Sequence, residues 1–221
     1  MHLTDIASHF WSLCVEMQFY VGIALVVALL GRRGLYLLPV ICIAVTLHRV
    51  TMGAYVNIVT WRRVDEILAG GVLALIYAGK FGDRPQQLVA GLNAYVMLAL
   101  LAVASYPESG FANYFRPYIA AAVVGTTLYN PPPRLLAVLH SRALNYVATI
   151  SFALYVIHHL FMFTWLLEGE RWVRYLKRPL LFLLTFALAH ASTFYFEHWW
   201  IAQGKRLAEK FRPRKATGVG P

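Results

Sequence analysis

Charged side chains are scarce in this chain: they make up 14% of its 221 residues, whereas apolar side chains make up 59%. This scarcity excludes an ordinary soluble domain, in which about a quarter of the residues are charged. The apolar residues occur in long runs, and the short alternating segments of a strand-rich barrel are missing. The composition therefore predicts an all-α, polytopic integral membrane protein with about seven transmembrane helices.

Cysteine is almost absent, and several common catalytic motifs are missing altogether. Cys14 and Cys42 both lie in apolar stretches, and their spacing fits neither a disulfide framework nor a metal site. The sequence contains no Gly-rich phosphate loop, no G-x-S-x-G elbow and no H-E-x-x-H zinc helix. We therefore expect neither a metal ion nor a tightly bound cofactor.

Acidic residues are half as numerous as basic ones, 10 against 20, which gives a formal net charge of +10. The Lys and Arg residues are scattered through short polar links and concentrated near the C-terminus. That distribution is typical of a membrane protein whose basic segments contact anionic lipid at the cytoplasmic surface. We expect membrane lipid as a partner, no nucleic acid, and a basic cytoplasmic tail over residues 201–221.

Seven apolar runs are candidates for membrane-spanning helices, all within one membrane domain of residues 1–200. An odd number of spans places the two termini on opposite sides of the membrane, with the basic tail inside. Gly70 and Gly71 lie inside the third run and predict a close helix contact, because small residues dominate helix interfaces in membranes. The runs cover residues 19–30, 35–47, 64–78, 88–105, 118–129, 146–167 and 180–200.

The first informative stretch precedes the first apolar run. In a helix, His9, Ser12 and Glu16 are spaced i, i+3 and i+7 and therefore share one face. A carboxylate at the edge of a membrane-spanning segment is costly unless it is paired or faces a wet cavity, which makes Glu16 a candidate functional residue. Alternatively, Glu16 lies in the headgroup region with Trp11 and Tyr20 as interfacial anchors.

A second polar group stands at the start of the third run. Arg63 and Glu66 are spaced i, i+3 and are able to pair with each other. Alternatively, Arg63 or Asp65 faces a cavity and contacts an anionic group of a ligand. A guanidinium suits phosphate or carboxylate recognition because its planar fork binds two oxygens at once.

The last two runs also carry polar faces. Ser151, Tyr155 and His158 are spaced i, i+4 and i+7, and His190 and Glu197 are spaced i, i+7. An intramembrane His acts as a general base, as a proton relay or as a buried hydrogen-bond donor. His190 and Glu197 are able to form a stabilising pair, because an unpaired carboxylate is costly in a membrane.

Four strings resemble, in the same order, those of the acyltransferase 3 family of integral membrane proteins. The string H-F-W-S-L-C-V-E-M-Q-F-Y at residues 9–20 is similar to the family signature, with Met17 where a second Glu is usual. R-V-D-E-I-L-A-G-G-V-L-A at residues 63–74, I-S-F-A-L-Y-V-I-H at residues 150–158 and F-Y-F-E at residues 194–197 resemble three further family elements.

The resemblance implies an O-acyltransferase of the bacterial inner membrane. Such an enzyme moves an acetyl or similar group from an acyl-CoA donor to a hydroxyl of a cell-envelope carbohydrate or glycosylated small molecule. It implies catalytic roles for Glu16, Ser12 and His158. It also implies that the substrates are bound by a larger set of residues, namely Arg63, Asp65, His9, Trp11, Tyr155 and Glu197.

Members of the family carry several helices before the signature, among them one with the histidine regarded as the catalytic base. The chain thus resembles the C-terminal portion of a family member, and we expect it to be inactive alone unless a partner supplies those helices. The alternative is a non-catalytic membrane protein, either a transporter or an assembly partner. In that case intramembrane side chains line a solute or proton path, namely Glu16, His158, His190 and Glu197.

Overall fold

A computed structural model describes residues 11–53, 64–106 and 108–210. All regular structure in these residues is helical, which confirms the all-α fold class. The ten α-helices that the described residues contain are α1 (Trp11–Leu30), α2 (Leu38–Thr51), α3 (Val64–Tyr77), α4 (Asp83–Ala90), α5 (Ala94–Ala104), α6 (Arg116–Tyr129), α7 (Pro133–Leu139), α8 (Arg142–His158), α9 (Arg171–Ala191) and α10 (His198–Lys210).

Short 3₁₀ and π segments join several of these helices directly. A 3₁₀ segment, Gly31–Leu37, connects α1 to α2, and another, Gly110–Phe115, leads into α6. Two more, His159–Phe163 and Trp165–Leu167, follow α8, and a π-helical segment, Ser192–Glu197, connects α9 to α10. The described residues divide into two compact units, residues 11–139 and residues 140–210.

The core of the first unit lies between α2 and α3. Leu38 and Cys42 of α2 pack against Leu68 and Ala69 of α3, and Phe19 of α1 packs against the same cluster. The chain therefore folds back after α1, through the link Gly31–Gly34.

Two glycines in the link make this fold-back possible. Gly31 has a φ of +64°, a conformation that side chains with a Cβ rarely adopt. A Cβ on Gly34 would lie only 2.7 Å from Cγ1 of Val26. A side chain at either position would therefore strain the turn.

Glycines also allow close helix contacts within the first unit. A Cβ on Gly71 would lie 3.0 Å from Cδ2 of Leu38, whereas one on Gly70 would meet nothing within 4 Å. The predicted close contact is thus present at Gly71 and not at Gly70. A tighter one occurs at Gly125 of α6, where a Cβ would lie 2.5 Å from Cγ1 of Val89.

The core of the second unit is smaller. Ile150 and Ala153 of α8 pack against Ala189 of α9, and Phe186 and Phe194 cover the contact. Side chains of the same helices that lie outside this contact are largely exposed and apolar. Such apolar surface is typical of helices that face lipid.

Among the described residues, three helical stretches are long and apolar enough to cross a membrane: Leu13–Thr51, Arg142–Phe161 and Arg171–Glu209. The number rises to four if the bent pair Asp83–Ala90 and Ala94–Ala104 is one span. These stretches are consistent with membrane association, whereas seven spans are not shown. The first stretch contains the first two predicted runs together with the 3₁₀ turn that joins them.

The run at residues 88–105 is not one continuous helix. The chain bends by 82° between α4 and α5. Asn93 starts the new helix, since its side chain accepts hydrogen bonds from the backbone N–H groups of Tyr95 and Val96. This N-cap satisfies donors that a helix start otherwise leaves unpaired, so the break is built into the sequence.

Candidate functional site

A buried ion pair joins α2 to α3 in the first unit. Nη1 of Arg49 lies 2.6 Å from Oδ2 of Asp65, and the two side chains are 3% and 0% exposed. Arg49 lies in the last turn of α2 and Asp65 in the first turn of α3, so each charge also complements its own helix dipole. The ring of Tyr114 lies 5.5 Å from the guanidinium carbon and covers it.

Two hydroxyl groups extend this pair toward α6. Oγ1 of Thr46 lies 3.2 Å from Oδ2 of Asp65 and 2.7 Å from the hydroxyl of Tyr118. Each hydroxyl has one proton to donate. If Tyr118 donates to Thr46 and Thr46 donates to the carboxylate, both protons point toward the negative charge. This order is the one that best stabilises the carboxylate in a buried setting.

One oxygen of this carboxylate lacks a partner among the described residues. Oδ1 of Asp65 is fully buried and accepts no hydrogen bond there. An unpaired carboxylate oxygen costs free energy in a protein interior. Within the described residues, the Arg49–Asp65 cluster, defined as Arg49, Asp65, Thr46 and Tyr118, therefore leaves one carboxylate oxygen without a hydrogen bond.

A second ion pair lies beside the cluster. Nη2 of Arg116 at the start of α6 binds Oε1 of Glu66, and both side chains are about one-quarter to one-third exposed. The sequence suggests Arg63 as a partner for Glu66, but Arg63 lies outside the described residues. The charges at the start of α3 thus link three helices, α2, α3 and α6.

In the second unit, α8 and α9 border a groove of about 560 Å³. Ser151, Tyr155 and His158 all line it, so they share a face as their spacing predicts. Thr185 of α9 contributes a hydroxyl from the opposite wall. The groove is otherwise apolar, which is typical of a site that binds an organic ligand and orients it with a few polar groups.

The hydrogen bond of His158 defines its tautomer. Nδ1 lies 3.1 Å from the carbonyl oxygen of Leu154. A carbonyl oxygen only accepts, so Nδ1 carries a proton and donates it here, which in the neutral ring is the Nδ1–H tautomer. Ser151 donates to the carbonyl oxygen of Ala148 at 2.8 Å, which leaves its hydroxyl oxygen as an acceptor.

The π-helical segment changes the predicted pairing of His190 and Glu197. A face shared at i, i+7 requires an uninterrupted α-helix, and Ser192–Glu197 winds more widely. His190 instead contacts the hydroxyl of Tyr146 at 3.1 Å, and Glu197 lies 3.5 Å from Oγ of Ser192. Within residues 140–210, no ion pair joins the two side chains.

The remaining predicted site residues belong to the string at residues 9–20. Glu16 is exposed on this helix. His9 lies outside the described residues, and so do the side chains of Trp11 and Ser12. The catalytic roles of Glu16, Ser12 and His158 stay predictions, as do the binding roles assigned to the other residues.

Sequence reasoning overlooked most of the Arg49–Asp65 cluster. Cys42, Thr46 and Arg49 are spaced i, i+4 and i+7 within an apolar run, a pattern that indicates one polar helix face. That spacing was available as a signal for Thr46 and Arg49. Tyr118 gives no such signal, because its contact depends on how α6 packs.

Comparison of the chain with protein-family models, with curated proteins and with solved structures gives no match.

Proposed function

We propose that this protein is a membrane-bound O-acyltransferase that moves an acetyl or similar group from acyl-CoA to a hydroxyl of a carbohydrate or glycosylated molecule. The observation that carries the proposal is the string at residues 9–20, with Glu16, which resembles the acyltransferase 3 signature. The groove between α8 and α9 supports it, because this groove presents a histidine, a tyrosine and a serine in an apolar setting.

The proposed reaction transfers the acyl group from sulfur to oxygen without any change in oxidation state. A base takes the proton of the acceptor hydroxyl while the hydroxyl oxygen attacks the thioester carbonyl. The carbon–sulfur bond then breaks, and the thiolate of the donor leaves and takes up a proton. We assign His158 a catalytic role because it lines the groove of the second unit. Ser12 and Glu16 are the other proposed catalytic residues, and Glu16 orients or activates a base or an acceptor.

The substrates are held by side chains of several segments. Arg63 contacts an anionic group of the acyl donor. The other proposed binding residues contact donor or acceptor, namely His9, Trp11, Tyr155 and Glu197. Asp65 is fully buried in its pair with Arg49 and presents no surface for such a contact. Developing negative charge on the thioester oxygen requires hydrogen-bond donors nearby, and Tyr155 carries a hydroxyl at the groove.

The proposal includes a topology. The chain crosses the bacterial inner membrane seven times, and its basic tail from residue 201 lies in the cytoplasm. Exposed apolar side chains on α1, α2, α8 and α9 support a membrane location.

Mass spectrometry of envelope glycans and glycosides tests the proposal in cells with and without the gene. Loss of an acetyl-sized or succinyl-sized increment in the deletion is the expected result, and Glu16→Gln is expected to reproduce it. The matched control is Glu209→Gln, which makes the same acid-to-amide change at an exposed position of α10. An unchanged mass profile in the deletion would contradict the proposal.

The Arg49–Asp65 cluster favours a second candidate, a transporter that moves protons or ions. Buried ionisable pairs within apolar helices often lie on such pathways. A transporter predicts that Asp65→Asn abolishes pH-dependent solute uptake in vesicles while glycan masses stay the same. The acyltransferase proposal predicts that the deletion changes those masses.

A further inference from the structure

A basic pocket lies where the fold-back of the first unit brings the 3₁₀ turn close to the end of α3. Its volume is about 410 Å³. Three cationic side chains and three apolar or aromatic ones line it: Arg32, Arg33, Lys80, Leu35, Tyr36 and Leu75. Because turn and helix end are far apart in sequence, only the folded chain assembles this group of charges.

The described residues provide no carboxylate partner for the positive charge of this pocket. Among the described residues, no carboxylate lies within 4.0 Å of the nitrogens of Arg32, Arg33 or Lys80. Cations that follow a helix C-terminus complement the helix dipole, and α1 and α3 both end here. The helix dipoles explain why cations follow the C-terminal ends of α1 and α3. They do not explain why the three cationic side chains line one pocket.

The surroundings of the pocket are apolar and exposed. Leu29 and Leu30 at the end of α1 are 80% and 55% exposed, and Leu37 is 43% exposed. The ring of Tyr36 meets Phe81 edge-on, with centroids 5.6 Å apart. The turn thus carries cations and an aromatic ring, and the adjoining end of α1 carries exposed leucines. Such an order of side chains is typical of the boundary between the headgroups and the acyl chains of a membrane.

We propose that this pocket binds the phosphate group of an anionic phospholipid. Arginine side chains present a planar fork that matches phosphate oxygens, and Lys80 adds a third positive charge. The exposed leucines beside the pocket provide contact for the acyl chains. That contact is why we assign a lipid and not a soluble phosphate ester, since a soluble ester has no use for the apolar surface. Basic pockets between membrane helices are known to bind lipid headgroups in this manner.

Native mass spectrometry of the full chain in a neutral detergent tests the proposal. The probes are phosphatidylglycerol and, as a zwitterionic comparison of zero net charge, phosphatidylcholine. One bound phosphatidylglycerol is expected on the wild-type protein, and phosphatidylcholine is expected to bind more weakly. The triple variant R32Q/R33Q/K80Q is expected to bind phosphatidylglycerol about a hundredfold more weakly, because each basic residue contributes about a factor of five.

A matched triple variant distinguishes binding at this pocket from nonspecific attraction of the lipid by the positive charge of the protein. R134Q/R142Q/R171Q removes the same number of exposed positive charges at other places and is expected to keep the wild-type affinity. Circular dichroism of each variant, recorded without lipid, checks that the helices are intact. Equal binding by the pocket variant and the wild type, with both folded, would overturn the proposal. Competition by glycerol phosphate at the concentrations at which the lipid binds would overturn the assignment to a lipid. This test does not depend on acyl transfer.

Discussion

Replacing Arg49 with methionine would remove the guanidinium that neutralises Asp65 while keeping a side chain of similar length. Both partners are almost completely buried, at 3% and 0% exposed. Leaving a buried charge without its partner costs about 3–5 kcal/mol, because water cannot replace the lost interaction. We therefore expect the free energy of unfolding of Arg49→Met to fall by about that amount.

The partly exposed ion pair of the same unit provides the control. Arg116→Met breaks the ion pair with Glu66, whose side chain is 34% exposed. Water and salt screen such a pair, so we expect a loss of at most about 1 kcal/mol. Each variant removes one arginine, and the two ion pairs differ mainly in how deeply they are buried.

The assay is denaturant unfolding of the purified chain in detergent micelles, followed by circular dichroism. The double variant R49M/D65N tests the pairing itself, since Asp65→Asn removes the stranded charge. We expect the double variant to be more stable than Arg49→Met alone. Equal losses for Arg49→Met and Arg116→Met, both below about 1 kcal/mol, would refute the assignment of a buried ion pair.

Two further predictions concern the first unit, one the helix contact at Gly125 and the other the N-cap of α5. Both use the same unfolding assay. Gly125→Ala is expected to destabilise the chain by about 1–3 kcal/mol, because the added Cβ would overlap Val89. Gly70→Ala is the control and is expected to stabilise it by about 0.5–1 kcal/mol, since nothing lies within 4 Å of the new atom. Asn93→Ala removes the cap of α5 and is expected to cost about 1 kcal/mol, whereas Asn93→Asp is expected to cost much less. An Asn93→Ala variant as stable as the wild type would argue against the cap.

The sequence was sufficient to predict helices where apolar residues form long runs. The run at residues 118–129 corresponds to α6, and the run at residues 64–78 corresponds to α3. The break between α4 and α5 was missed because a single asparagine in an apolar context gives a weak signal. Its capping role depends on backbone geometry that hydropathy does not report.

In the candidate site, too, features that depend on spacing along one helix are predictable from the sequence, whereas features that depend on how helices pack are not. The shared face of Ser151, Tyr155 and His158 follows from helical spacing and is present in the groove. The His190–Glu197 pair failed because a π-helical turn changes the spacing on which it depended. The Arg49–Asp65 ion pair joins two helices separated in sequence by residues 52–63, and spacing along one helix cannot predict it.

The most direct test of the proposed function follows the acyl group itself. Membranes from cells with and without the gene would be incubated with acetyl-CoA carrying ¹³C in the acetyl group, and carbohydrate fractions analysed by mass spectrometry. The account predicts an alkali-labile ¹³C-acetyl ester that depends on the gene and that falls sharply with His158→Phe. Two results would contradict the account. One is equal labelling of carbohydrate in membranes with and without the gene, and the other is equal labelling by the wild type and by His158→Phe.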